Sequence, residues 1–146
     1  MQRAGPSGLF SVEVPEGWLG HESQGADRPG LRLHTGLQAH VELTALPPLD
    51  AAVHTPLELL QQVSRSAAGT VLDIRELDLP GGLPAARLVR SGRGGRVEHF
   101  ALVVGPEATV VLVLACSQAD APELVPHLAP LLASLRLGEH ATELAR

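Results

Sequence analysis

Between positions 8 and 14 apolar and mixed residues alternate, with Phe10, Val12 and Val14 on one side and Leu9, Ser11 and Glu13 on the other. That is the pattern of a half-buried strand, and Pro15-Glu16-Gly17-Trp18 predicts the turn that ends it. Two further alternating runs, residues 31–34 and 39–45, flank Gly36. A three-residue loop there sets Leu33 opposite Val41 and Leu31 opposite Leu43 on the buried side, with His34 opposite His40 and Arg32 opposite Glu42 on the other. Residues 16–30 read as a loop, over which Trp18 serves either as an anchor at the sheet edge or as part of an exposed binding pocket.

Thr55-Pro56-Leu57-Glu58 has the form of a capping box with proline at the first helical position. Leu60, Val63 and Ala67 follow at helical spacing, and Gly69 closes the element. The segment before it, with Pro47-Pro48, reads as an irregular crossover.

Four strand-like segments come next, at 71–79, 85–90, 96–104 and 109–116. Short Gly-rich connections separate them, which predicts an antiparallel meander. Residues 110–114 are apolar without alternation, so this strand is expected at the sheet centre with both faces covered. Near the end, Leu124, Leu128, Leu131 and Leu135 form one helical stripe, while Pro122, Pro126 and Pro130 fall opposite it. An interior proline costs about 3 kcal/mol, so an irregular helix with a buried stripe is expected. The fold class is therefore α+β, with an antiparallel sheet of about six or seven strands sandwiched between helices. Residues 1–138 read as one domain and 139–146 as a loosely ordered tail.

Composition narrows the functional classes. With 45% hydrophobic and 18% charged residues in 146 positions the chain is globular rather than disordered. A net charge of −5 and only three aromatics, Phe10, Trp18 and Phe100, argue against nucleic acid as a partner. All eleven basic side chains are Arg, and Lys, Asn and Tyr are absent. The missing residues have A/T-rich codons, so this bias reads as genomic rather than as selection for guanidinium chemistry. Cys116 is the single cysteine, which excludes an internal disulfide. No signal-peptide pattern follows Arg3, and no run reaches the roughly 20 apolar residues of a membrane span. A cytoplasmic chain without membrane insertion is expected.

Candidate chemistry is sparse. His34 and His40, with Glu42 nearby, could supply two or three metal ligands, or form part of a solvated sheet face beside an Arg32–Glu42 pair. His99 alternates with Val97 and Ala101 and is expected to be half-buried; His127 and His140 read as surface residues. Arg87, Arg90, Arg93 and Arg96 recur every third residue and could form a basic edge for an acidic partner. No Gly-x-Ser-x-Gly elbow and no phosphate loop occurs, and nothing implies a catalytic residue or a cofactor.

Residues 10–18 (FSVEVPEGW), 82–88 (GLPAARL), the long apolar strand and the closing 131–136 (LLASLR) together resemble the PsbP-like superfamily. That superfamily includes the photosystem extrinsic protein, the yeast nuclear-import Mog protein, and bacterial DcrB-like and LpqN-like domains. The resemblance covers residues 8–137 and implies an antiparallel sheet between helices and a non-enzymatic role. Three functions stay open: a protein-binding or chaperone-like module, a small-ligand or metal-binding domain using His34, His40 and Glu42, and a hydrolase without a recognisable motif. The partner expected is another protein, and open sheet edges permit homodimerisation.

Overall fold

The computed structural model describes residues 2–6, 8–25, 28–48, 55–66 and 69–137, with the side chains of 23–25, Ser66 and Arg93 excepted. The expected tail, the segment 49–54, Ala67 and His140 lie outside these. In chain order the strands are β1 (Arg3–Ala4), β2 (Phe10–Glu13), β3 (Leu19–Gly25), β4 (Arg28–His34) and β5 (His40–Leu46). After helix α1 (Pro56–Ser66) come β6 (Thr70–Leu77), β7 (Ala85–Ser91), β8 (Arg96–Val104) and β9 (Thr109–Ser117). Two short helices, α2 (Ala121–Leu124) and α3 (Leu128–Ala133), and a final strand, β10 (Arg136–Leu137), complete the order.

Seven strands form one antiparallel sheet in the order β3-β4-β5-β9-β8-β7-β6. It is two meanders joined where β5 pairs β9, and β9 is the central strand as its apolar run predicts. The β4–β5 hairpin has the expected register, with His34 opposite His40, Arg32 opposite Glu42 and Leu33 opposite Val41. Gly36 sits in its turn at φ +86°, a conformation that favours glycine. One expectation fails: residues 19–25, read as loop, form the edge strand β3. On its core-facing side β3 places Gly20 and Glu22 opposite Leu33 and Leu31, so it offers no apolar alternation to reveal a strand. Gly20 suits the position because its missing side chain leaves room for Leu33, Leu31 and Val14.

Each face of this sheet carries a helix. Leu60 of α1 is buried with Ala86, Leu88 and Leu102 on one face, while Val63 of the expected stripe is 40% exposed. On the other face Leu124, Leu128 and Leu131 pack with Leu31, Val41 and Leu112. The covering is unequal along β9. Val110, Leu112, Leu114 and Cys116 are buried, whereas Val111, Val113 and Ala115 are half-buried, so the expectation of two fully covered faces holds for one.

Local chemistry explains the helix ends. The Thr55 hydroxyl accepts the Glu58 N–H at 3.2 Å, and the Glu58 carboxylate accepts the Thr55 N–H at 3.4 Å, the reciprocal capping box. Thr55 is exposed, so Thr55→Ala removes the cap with little packing. It is expected to cost about 0.5–2 kcal/mol, read from urea melts; an unchanged midpoint would show that the box contributes nothing.

The C-terminal stripe is buried as expected, and the prolines divide the helix. Ala121–Leu124 is α-helical, Val125–His127 is a 3-10 turn and Leu128–Ala133 is α-helical again. Pro122, Pro126 and Pro130 each fall in the first turn of their segment, where a backbone N–H lacks an intrahelical acceptor anyway. All three prolines are exposed.

The small sheet β1-β2-β10 closes the chain on itself. The Ser134 hydroxyl accepts the Glu13 N–H at 2.9 Å and donates to the Leu131 carbonyl at 2.7 Å. Ser134 is 9% exposed. One buried hydroxyl therefore links the first strands to the last helix and satisfies two backbone groups.

Candidate functional site

Side chains capable of chemistry gather on opposite faces of the seven-stranded sheet. On the face that carries α1, but at the far end beyond it, β3, β4 and β5 present a polar row. His34 stands across from His40, and Arg32 across from Glu42 on one side and His21 on the other. Arg32 is ion-paired to Glu42, and His40 Nε2 lies 3.4 Å from the same carboxylate oxygen. His34 turns the other way: its Nε2 is 3.2 Å from His21 Nδ1, with the rings 4.8 Å apart, while the His40 ring is 6.3 Å away and tilted by 50°. Among the described residues no three His, Cys, Asp or Glu side chains are placed to hold one metal ion. His34, His40 and Glu42 thus share a face without converging, and His21 is the neighbour that reading 19–25 as loop concealed.

The arginine series does not make one edge. In a strand, a spacing of three alternates faces, and the structure divides the side chains accordingly. Arg87 lies on the α3 face, where its Nε and Nη2 donate to Asp73 Oδ2 at 3.1 and 2.7 Å. Arg75 donates to the same oxygen at 2.9 Å. Hydrogen bonds from Arg87 and then Arg75 hold the Asp73 carboxyl below its usual pKa, against a smaller opposing effect of burial. Arg90 lies on the opposite face, 15% exposed, bonded to Glu98 at 2.9 Å and stacked over Phe100 at 4.8 Å. Arg96 is exposed and donates to the Ala115 carbonyl at 3.3 Å. Arg93 stands in the 3-10 turn at the hairpin tip.

Trp18 is 9% exposed and belongs to the core, its ring 5.1 Å from that of His127. It anchors the turn before β3 rather than presenting a surface. Cys116 is buried, and burial, with Asp120's charge second, pushes its thiol pKa up against the weaker pull of Arg96. A thiol held protonated is a poor nucleophile.

Sequence reasoning missed a cavity. α2 and α3 lie on one face of the sheet, and a cavity of about 340 Å³ opens between the C-terminal helices and β6–β8. Its walls include Leu77, Leu79 and Ala101 from the sheet side and Leu128, Ala129 and Leu132 from the helices. Arg87, His99 and Asp78 are its polar groups. The volume and the ratio of apolar wall to a few polar groups are those of a small-molecule site. Arg87 is held in place by Asp73, so its orientation is set before any ligand arrives.

His99 is half-buried as expected. Burial, with Arg87's charge second, pushes its pKa below the ordinary 6.5. The unfolded chain takes up a proton near 6.5 that the folded chain resists, so His99 favours folding above that pH and loses its contribution as pH falls below it. His99→Gln is expected to flatten the acid limb of a plot of melting temperature against pH. An acid limb of unaltered slope would remove His99 as its cause.

With the geometry defined, the backbone can be compared with solved structures. Cyanobacterial PsbP (CyanoP) from Synechocystis sp. PCC 6803 superposes with a TM-score of 0.64 over 93% of this chain and 91% of its own, at 11% identity. The fold is PsbP-like. LpqN, involved in cell envelope biogenesis of Mycobacterium tuberculosis, superposes with a TM-score of 0.59 at 20% identity, over 88% of this chain and 83% of its own. A protein of Bacteroides thetaiotaomicron aligns with 94% of this chain but 48% of its own length, with a TM-score of 0.53 and 10% identity. No protein-family model and no curated sequence matches the chain. The PsbP-like architecture is thus a likeness of fold, on which function has to be argued from the site. Among the described residues no helix is long and apolar enough to cross a membrane.

Proposed function

We propose that this chain is a non-catalytic binding module whose ligand is a small, mainly apolar molecule with one polar head, held between α3 and the β6–β8 end of the sheet. The cavity of about 340 Å³ carries this reading. Apolar surface from α3 and the sheet takes the body of the ligand, at roughly 25 cal/mol per Å² removed from water. Arg87 keeps one guanidinium nitrogen, Nη1, beyond the two that bind Asp73, and His99 supplies a ring whose charging is opposed by burial first and by Arg87's charge second. The pair suits a carboxylate or another strong acceptor. The buried, protonated Cys116 thiol supports binding without covalent chemistry.

Anilinonaphthalene sulfonate and decanoate are suitable probes. Each is expected to bind one saturable site, with amide shifts in NMR spectra confined to α3, β7 and β8. Ala129→Trp should fill the cavity and abolish binding while the cooperative melt persists. If neither probe binds, or if Ala129→Trp binds as well as the unmodified chain, the reading fails.

A protein partner is the second reading. The edge strand β6 favours it, since Val71 and Leu72 are 40% and 57% exposed beside a register shift between Val71 and Asp73. An unpaired strand edge with apolar side chains is a template for another strand. Leu72→Lys is expected to abolish any association seen by light scattering or by capture from the native host; association that survives it would exclude this edge.

A further inference from the structure

The histidines on β3 and β4 lie far from the cavity, on the opposite face of the sheet, and the proposed ligand does not use them. We propose that His21 and His34 form a two-imidazole site for a divalent transition metal, Zn²⁺ or Cu²⁺. The donor atoms His21 Nδ1 and His34 Nε2 are 3.2 Å apart. Two imidazole nitrogens bound to one tetrahedral zinc at about 2.0–2.1 Å are separated by nearly that distance. Imidazole is also the ligand type that zinc and copper prefer.

Sheet geometry brings these rings together. β3 pairs β4 with Leu19 opposite His34, so His21 is the diagonal neighbour of His34 on the same face. Diagonal pairs are within reach of large rings. Both side chains are exposed, so rotation about the ring torsion, a broad one, can aim both lone pairs at one ion. The ring that now donates in the His21–His34 contact must then carry its proton on its other nitrogen.

The surroundings tolerate a cation. Arg32, the direct neighbour of His21, has its charge offset by Glu42, which also faces His40. Among the described residues no third ligand joins the pair. The protein therefore supplies two ligands and leaves the remaining positions to water or to a donor from outside. Such a site binds more weakly than a closed structural one and exchanges its open positions readily.

Calorimetric titration of the whole chain with zinc alone, and separately with copper alone, tests the proposal. One equivalent is expected to bind, and His21→Gln and His34→Gln each to weaken binding by at least about tenfold. His40→Gln should change it by less than about threefold, because His40 is engaged with Glu42. Absence of binding by both metals overturns the proposal, as does binding unchanged in the His21→Gln/His34→Gln double variant. Copper-induced NMR line broadening in the unmodified chain gives a reading that needs no variant. Broadening centred on His21 and His34 supports the site, and broadening centred elsewhere overturns it. Cavity binding by decanoate, measured in the same double variant, should be unaffected.

Discussion

Replacing Phe10 with alanine is expected to lower the free energy of unfolding by about 3–5 kcal/mol, the largest loss from any single substitution considered for this chain. Phe10 is fully buried, in a chain with only two phenylalanines and one tryptophan. It sits on β2, between β1 and β10, in a three-stranded sheet whose outer strands are only two residues long. That sheet is stable because its inner residues join the main core: Phe10 and Val12 are in one cluster with Leu112, Leu124 and Leu131. Truncation removes the apolar transfer energy and leaves a cavity that the neighbours only partly fill. Urea unfolding followed by circular dichroism measures the loss. A change below about 1 kcal/mol would mean that the small sheet opens without cost to the rest, and would detach it from the cooperative unit.

Leu112→Ala is expected to cost about 2–5 kcal/mol, while Val113→Ala, one residue along, should cost less than about 1.5 kcal/mol. The two side chains project to opposite faces of the central strand. Leu112 is 1% exposed under the C-terminal helices, whereas Val113 is half-buried, opposite Glu42 on one side and Phe100 on the other. The comparison tests directly the unequal covering of a strand whose apolar run suggested two covered faces. Equal costs would show that the Val113 face is packed as tightly as the Leu112 face. Leu112 also lines the cavity, so its truncation should enlarge the space for a probe. Ala129→Trp does the opposite, so Leu112→Ala is expected to accept bulkier probes while Ala129→Trp binds none.

How far the chain was legible depends on the strength of its local signals. Wherever one face of an element is buried and the other is not, periodicity shows it. The register of the His34–His40 hairpin, the α1 start at Thr55–Glu58 and the strand Arg96–Val104 all follow from spacing alone. The broken C-terminal helix follows from its prolines, which lack the backbone N–H that a continuous helix needs. β3 was hidden because an edge strand that meets the core with Gly20 and Glu22 has no apolar period to display. With it went His21, the nearest partner of His34.

The arginines teach a related lesson. A spacing of three inside a strand already implies opposite faces, so the separation of Arg87 from Arg90 was open to inference. That Asp73 would hold Arg87 was not, because the contact spans two strands and a bulge. The cavity lay further out of reach. Its lining comes from β6 and the turn after it, from β7, β8 and β9, and from the C-terminal helices, segments far apart in the chain. Alternation and capping, which act over a few residues, determined the elements, their register within hairpins and most of the buried set. The placement of a helix across a sheet depends on side-chain packing between segments distant in the chain, and it decided where the cavity lies; the pairing of an edge strand without an apolar period decided which histidines meet.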